Sequence, residues 1–90
     1  MNRIERIEAY EKLFDEVRSA VDAAREALNA LEELRPAAER LREYYTGRQW
    51  KKDFADDEAG KLPQGLKRGV LSEDGIDHLL DDYDELTSTE

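Results

Sequence analysis

IEAYEKLFDEVRSAVDAAREALNAL, residues 7–31, is the stretch whose reading decides the fold. Its large apolar residues fall at Ile7, Tyr10, Phe14, Val17, Val21, Leu28 and Leu31, and Ala24 completes the series, so the steps alternate three and four. That spacing returns to one side of a 3.6-residue turn, whereas a strand needs an alternation of period two. The segment therefore reads as one face of a long amphipathic helix. Leu13, Ala20 and Ala27 widen the face on one edge, enough to contact two neighbours. At the start, Asn2 and Glu5 have the spacing of a capping box, in which each side chain takes a free amide of the first turn.

Past Leu31 the rhythm slips. Leu28, Leu31 and Leu34 are two successive steps of three, then come Ala38, Leu41 and Tyr45. Pro36 lies inside the slip. A proline in a helix interior removes a hydrogen bond and costs roughly 3 kcal/mol, but the first turn of a helix tolerates it. A break near Glu33–Pro36 is predicted, with Pro36 opening a second helix. No Gly, Asn or Ser stands there as a cap, so a kinked continuous helix is the alternative reading. Unbroken, Asn2 to Tyr45 would span about 66 Å, against a radius of gyration of about 12 Å for a compact chain of this length.

Thr46-Gly47-Arg48-Gln49 again has capping-box spacing, and Tyr45 and Trp50 are placed to staple across it. A short helix from Gly47 to Ala59 is predicted, with Trp50 and Phe54 on one face, Gly60 as a left-handed cap and Pro63 barring continuation. Residues 60–71 hold three glycines and a proline. They read as an irregular connector that packs down through Leu62, Leu66, Val70 and Leu71. Ser72 is placed to cap a last helix, with Glu73 and Asp74 near the positive end of its dipole. Leu71 and Ile76 form a second staple, Ile76, Leu79, Leu80, Tyr83 and Leu86 an apolar face, and residues 87–90 a frayed tail. The expected fold is all-α. It is a small helical bundle forming one domain over residues 1–90, with a long N-terminal amphipathic helix, a second helix after Pro36, a short Trp-bearing helix and an acidic C-terminal helix.

Composition narrows the function. A chain that is 41% charged and 39% hydrophobic suits helices with wet outer faces. Cysteine is absent, which removes disulfides, thiolate nucleophiles and cysteine-bound zinc. The opening Met1-Asn2-Arg3-Ile4-Glu5-Arg6 has no apolar run of the signal-peptide kind, and no stretch reaches membrane-spanning length; the cytoplasm is the expected location. The net charge of −9 is lopsided: charges cancel over residues 1–52, while residues 53–90 hold 3 basic and 12 acidic residues. Direct contact with nucleic acid or an anionic membrane is disfavoured, since both need clustered cations.

The second half also carries a run of specific residues: Tyr44-Tyr45-Thr46-Gly47-Arg48-Gln49-Trp50, then Asp53, then Asp57-Glu58-Ala59-Gly60-Lys61-Leu62-Pro63, then Leu66-Lys67-Arg68-Gly69-Val70-Leu71-Ser72-Glu73-Asp74. This run resembles a family of small bacterial proteins of similar length known only as a domain of unknown function. Thr46 stands where that family usually has Ser. The resemblance implies a bacterial, cytoplasmic, helical protein and brings no chemistry with it.

Sites for chemistry are thin. His78, the single histidine, has Asp74, Asp81 and Asp82 three or four residues away. Built metal sites draw ligands from several elements or show tight motifs, so a solvated His is the expected reading. Asp53, Asp56, Asp57 and Glu58 match a calcium loop in composition but lack its central Gly and final Glu. Ser19 and Ser72 have no base placed to activate them. No catalytic residue, metal ligand or cofactor is assigned, and an enzyme is not expected; a small metal-dependent enzyme is the outside alternative. Two surfaces remain. Tyr44, Tyr45, Trp50, Asp53, Lys67 and Arg68 form an interaction patch, since interfaces concentrate aromatics and Arg. The competing reading makes these residues internal, with Tyr44 packed on the last helix. The stripe Ile7, Tyr10, Phe14, Val17, Val21, Leu28 and Leu31 forms a self-association face, because the apolar faces of Pro36–Tyr45 and Ser72–Leu86 are shorter than it is. The expected function is a non-enzymatic protein–protein interaction module, with a protein partner or as a homodimer; the alternative is an acidic decoy of a basic nucleic-acid-binding protein.

Overall fold

The computed structural model describes residues 2–88. The chain is all-α: α1 (Arg3–Glu33), α2 (Arg35–Tyr45), α3 (Arg48–Glu58), a single 3-10 turn at Gly69–Leu71, and α4 (Glu73–Thr87), with no strand among the described residues. It divides into two compact units, Met1–Ala30 and Leu31–Glu90.

The first unit is helical from Arg3 onward. Its start is tied as the spacing predicts: the Glu5 amide donates to Asn2 Oδ1 at 2.8 Å, and the Asn2 amide donates to Glu5 Oε1 at 3.2 Å. No residue of α1 is buried.

The second unit begins with the last turn of α1. Leu34 alone leaves the helix, at φ −88° and ψ 7°, and its amide donates to the Leu31 carbonyl at 3.1 Å. Pro36 follows at the second position of α2, where its missing N–H would have had no helical acceptor in any case. The interruption is thus a one-residue break. The predicted cap of α3 is different in the structure. Thr46 is still near-helical at φ −90° and ψ 0°, so its hydroxyl lies over the preceding turn and donates to the Arg42 carbonyl at 2.8 Å. Gly47 has the extended N-cap backbone, at φ −96° and ψ 172°, but no side chain to cap with. Gln49 is left to donate to Asp53 Oδ1 at 2.9 Å.

The far end of α3 follows expectation. Gly60 takes φ 72°, its amide donates to Asp57 O, and Lys61 N–H donates to Asp56 O, both at 3.0 Å; this is the paired closure of a Schellman motif. The connector packs down through Leu62 and Leu71, while Leu66 and Val70 stay exposed. At α4, Ser72 Oγ accepts from the Gly75 amide at 3.1 Å. A Cβ on Gly75 would come within 3.0 Å of that oxygen, so the glycine leaves room for the cap.

Trp50, Leu71, Ile76 and Leu80 form the buried centre of this unit, ringed by Leu41, Tyr44, Tyr45, Phe54 and Leu62. The apolar face predicted for α4 splits: Ile76 and Leu80 are buried, but Leu79 and Leu86 are 56% and 59% exposed. Positions 79 and 86 are seven apart and share one side of the helix, and the core takes the neighbouring side. Thr87, assigned to a frayed tail, closes α4, and its hydroxyl donates to Tyr83 O at 2.8 Å; residues 89 and 90 of that tail lie outside the described residues.

Candidate interaction surfaces

The predicted patch divides into contacts made within the second unit. Trp50, 5% exposed, stacks on Phe54 with centroids 5.0 Å apart and meets Tyr45 edge to face, also at 5.0 Å. Such pairs add about 0.5–1.5 kcal/mol beyond area burial. The Trp50 indole N–H donates to the Val70 carbonyl at 3.0 Å. The aromatic triad therefore anchors the connector as well as filling the core.

Tyr44 points its hydroxyl at α3 rather than at the last helix, donating to Asp53 Oδ2 at 2.6 Å. Asp53 accepts from both Tyr44 and Gln49, and these bonds, with Tyr44 the larger influence, hold its carboxyl below the usual range. The same bond, followed by burial and the carboxylate's charge, pushes the Tyr44 phenol up to about 12. The Tyr45 phenol is raised too, by loss of solvent first and then by Asp77, Glu73 and Asp74. Arg68 donates to Asp57 at 2.6 Å in a half-buried pair, so its cation is used internally. Lys67 is exposed and makes no ion pair among the described residues.

Sequence reasoning missed an apolar groove lined by Leu31, Leu34, Ala37, Leu41, Leu79 and Tyr83, of about 180 Å³. Its one signal was Leu34, the apolar residue at which the spacing slips. Tyr83 reaches across to donate its hydroxyl to the Leu31 carbonyl at 3.1 Å. At the other edge of α4, Arg42 donates to Asp84 at 2.8 Å. His78 is exposed, and among the described residues no three His, Asp or Glu side chains come together in a way that could hold a metal ion.

The stripe on α1 is the other candidate. Ile7, Tyr10, Leu13, Phe14, Val17, Val21 and Leu28 are each between 45% and 64% exposed, and only Leu31, at the start of the second unit, is half-buried. The Arg18 guanidinium lies over the Phe14 ring, 4.8 Å from its centroid, along the charged margin of the stripe. A helix normally draws most of its stability from burying such a face. Among the described residues no helix is long and apolar enough to cross a membrane.

No curated protein and no solved structure matches the chain. Residues 7–89 match a protein-family model described only as a domain of unknown function, DUF4298, and the run from Tyr44 to Asp74 lies wholly inside that match. The chain belongs to the DUF4298 family.

Proposed function

We propose that the protein is a non-enzymatic protein–protein interaction module of the bacterial cytoplasm, and that α1 is the element that docks. The observation that carries this reading is the stripe itself: seven large apolar side chains from Ile7 to Leu28, in one continuous row of turns, each about half exposed. A contiguous apolar surface of several hundred Å² on a small protein marks an interaction site. The absence of cysteine, the single exposed His78 and the lack of converging ligand side chains among the described residues favour binding over catalysis. The −9 charge argues for a protein partner over nucleic acid or a membrane.

The test is a comparison of tagged wild-type chain with the double variant Val17→Glu, Val21→Glu, both purified from the native cell. Proteins retained by the wild type, further copies of the chain included, should be lost from the variant, while its Trp50 emission and thermal melt stay as in the wild type. Identical partners on both chains, or collapse of the Trp50 core in the variant, would show instead that the stripe is not a docking surface.

A further inference from the structure

The margins of the stripe differ. On one side of the row Ile7, Phe14, Val21, Leu28 run the charged residues Glu11, Arg18 and Arg25; on the other side, beyond Tyr10, Val17 and Ala24, run Leu13, Ala20 and Ala27. If two such helices pair in parallel, the charged margin of each meets the apolar margin of the other. Arg18 and Arg25 would then lie against Leu13 and Ala20 and lose water without gaining a counter-charge. Antiparallel pairing sets like margins together, apolar on apolar and charged on charged.

Resting on the reading of α1 as the docking element, we propose that its partner is α1 of a second copy of this chain, paired antiparallel about a two-fold axis near Ser19. In that register Tyr10 faces Leu28 of the second copy, Val17 faces Val21, and the Phe14 ring faces Ala24, the smallest side chain of the stripe. Large against small is how facing layers fill without voids. Glu11 faces Arg25, twice by symmetry. Arg18 meets its own copy at the axis, but its guanidinium already lies on the Phe14 ring, with Asp15 and Asp22 one turn away on its own helix. Sliding one heptad toward the C-terminus would set Glu11 against Glu32 and Arg18 against Arg25, all like charges. Sliding the other way would set Leu28 against Arg3. The large apolar side chains from Ile7 to Leu28 are each 45–64% exposed, and their complete burial would remove on the order of 700 Å² per chain from water, against the ~800 Å² per partner of a stable specific complex.

The chain has no cysteine of its own, so introduced thiols report orientation directly. Tyr10→Cys and Leu28→Cys chains, mixed and oxidised, should give mainly the mixed disulfide, identified by mass, and wild-type chain should scatter light as twice 10.4 kDa. Separately, Glu11→Arg and Arg25→Glu should each weaken the dimer about three- to tenfold, and the two changes together should restore it, as expected for exposed ion pairs. Disulfides formed mainly between identical variants, a charge swap without recovery, or a monomer at high concentration would each overturn the proposal. A monomer in vitro that still loses native-cell partners through Val17→Glu, Val21→Glu would leave the docking role of α1 standing and remove only its self-pairing.

Discussion

Replacing Trp50 by Phe tests the account of the second unit most directly. The smaller ring keeps an aromatic face toward Phe54 and Tyr45, so the stacking geometry survives in outline. Two things go. The indole N–H that donates to the Val70 carbonyl at 3.0 Å is removed, leaving an acceptor near the core without its partner; a lost hydrogen bond of this kind costs about 1 kcal/mol. The second ring of the indole is also removed from a site only 5% exposed. Truncating a buried aromatic to Ala costs about 3–5 kcal/mol, and losing one ring of two roughly 1–2 kcal/mol of that. The total is about 2–3 kcal/mol, which for a unit of this size lowers the melting temperature by about 10–20 °C. Because Trp50 is the only tryptophan, the measurement is calorimetric rather than by fluorescence. A shift of less than about 3 °C would show that Trp50 neither anchors the connector nor fills the core.

Three further outcomes follow from the same geometry. Ser72→Ala should lower the stability of the second unit by about 1 kcal/mol, seen as a lower denaturant midpoint at unchanged slope, because the Gly75 amide loses its acceptor. Gly60→Ala should cost about 1–2 kcal/mol by the same assay, since φ 72° is strained for any residue with a Cβ; an unchanged midpoint would mean α3 does not close on Gly60. The Tyr44–Asp53 bond predicts a pH window. The Asp53 carboxyl is held below its unfolded value, so its contribution is present above that value and lost as pH falls. The Tyr44 phenol is raised to about 12, so its contribution is complete below its unfolded value near 10 and is lost as pH rises toward 12. Tyr44→Phe should flatten both flanks of the stability–pH curve, and a wild-type curve that keeps both flanks in the variant would count against the bond.

The features that the sequence by itself determined span four residues or fewer. The Asn2–Glu5 box, the left-handed Gly60 and the Ser72 cap all follow from the geometry of one helical turn, which the chain carries wherever it goes, whereas the choice between a break and a kink ahead of Pro36 was settled only by the Leu34 backbone. The stripe on α1 was legible for the same reason, being a period along one helix. Thr46 shows where local reading fails even at short range: spacing permitted a cap, but the near-helical backbone turned the hydroxyl back to Arg42, and nothing in the residue order distinguishes the two. Only the tertiary structure decided where Tyr44, Trp50, Arg68 and Tyr83 find partners, at separations of 9, 20, 11 and 52 residues. It also decided that Leu79 and Leu86 face outward while Ile76 and Leu80 face in. These choices depend on where the connector from Gly60 to Leu71 returns the chain. That path is set by the summed packing of the Trp50 core, which no short stretch of the sequence encodes.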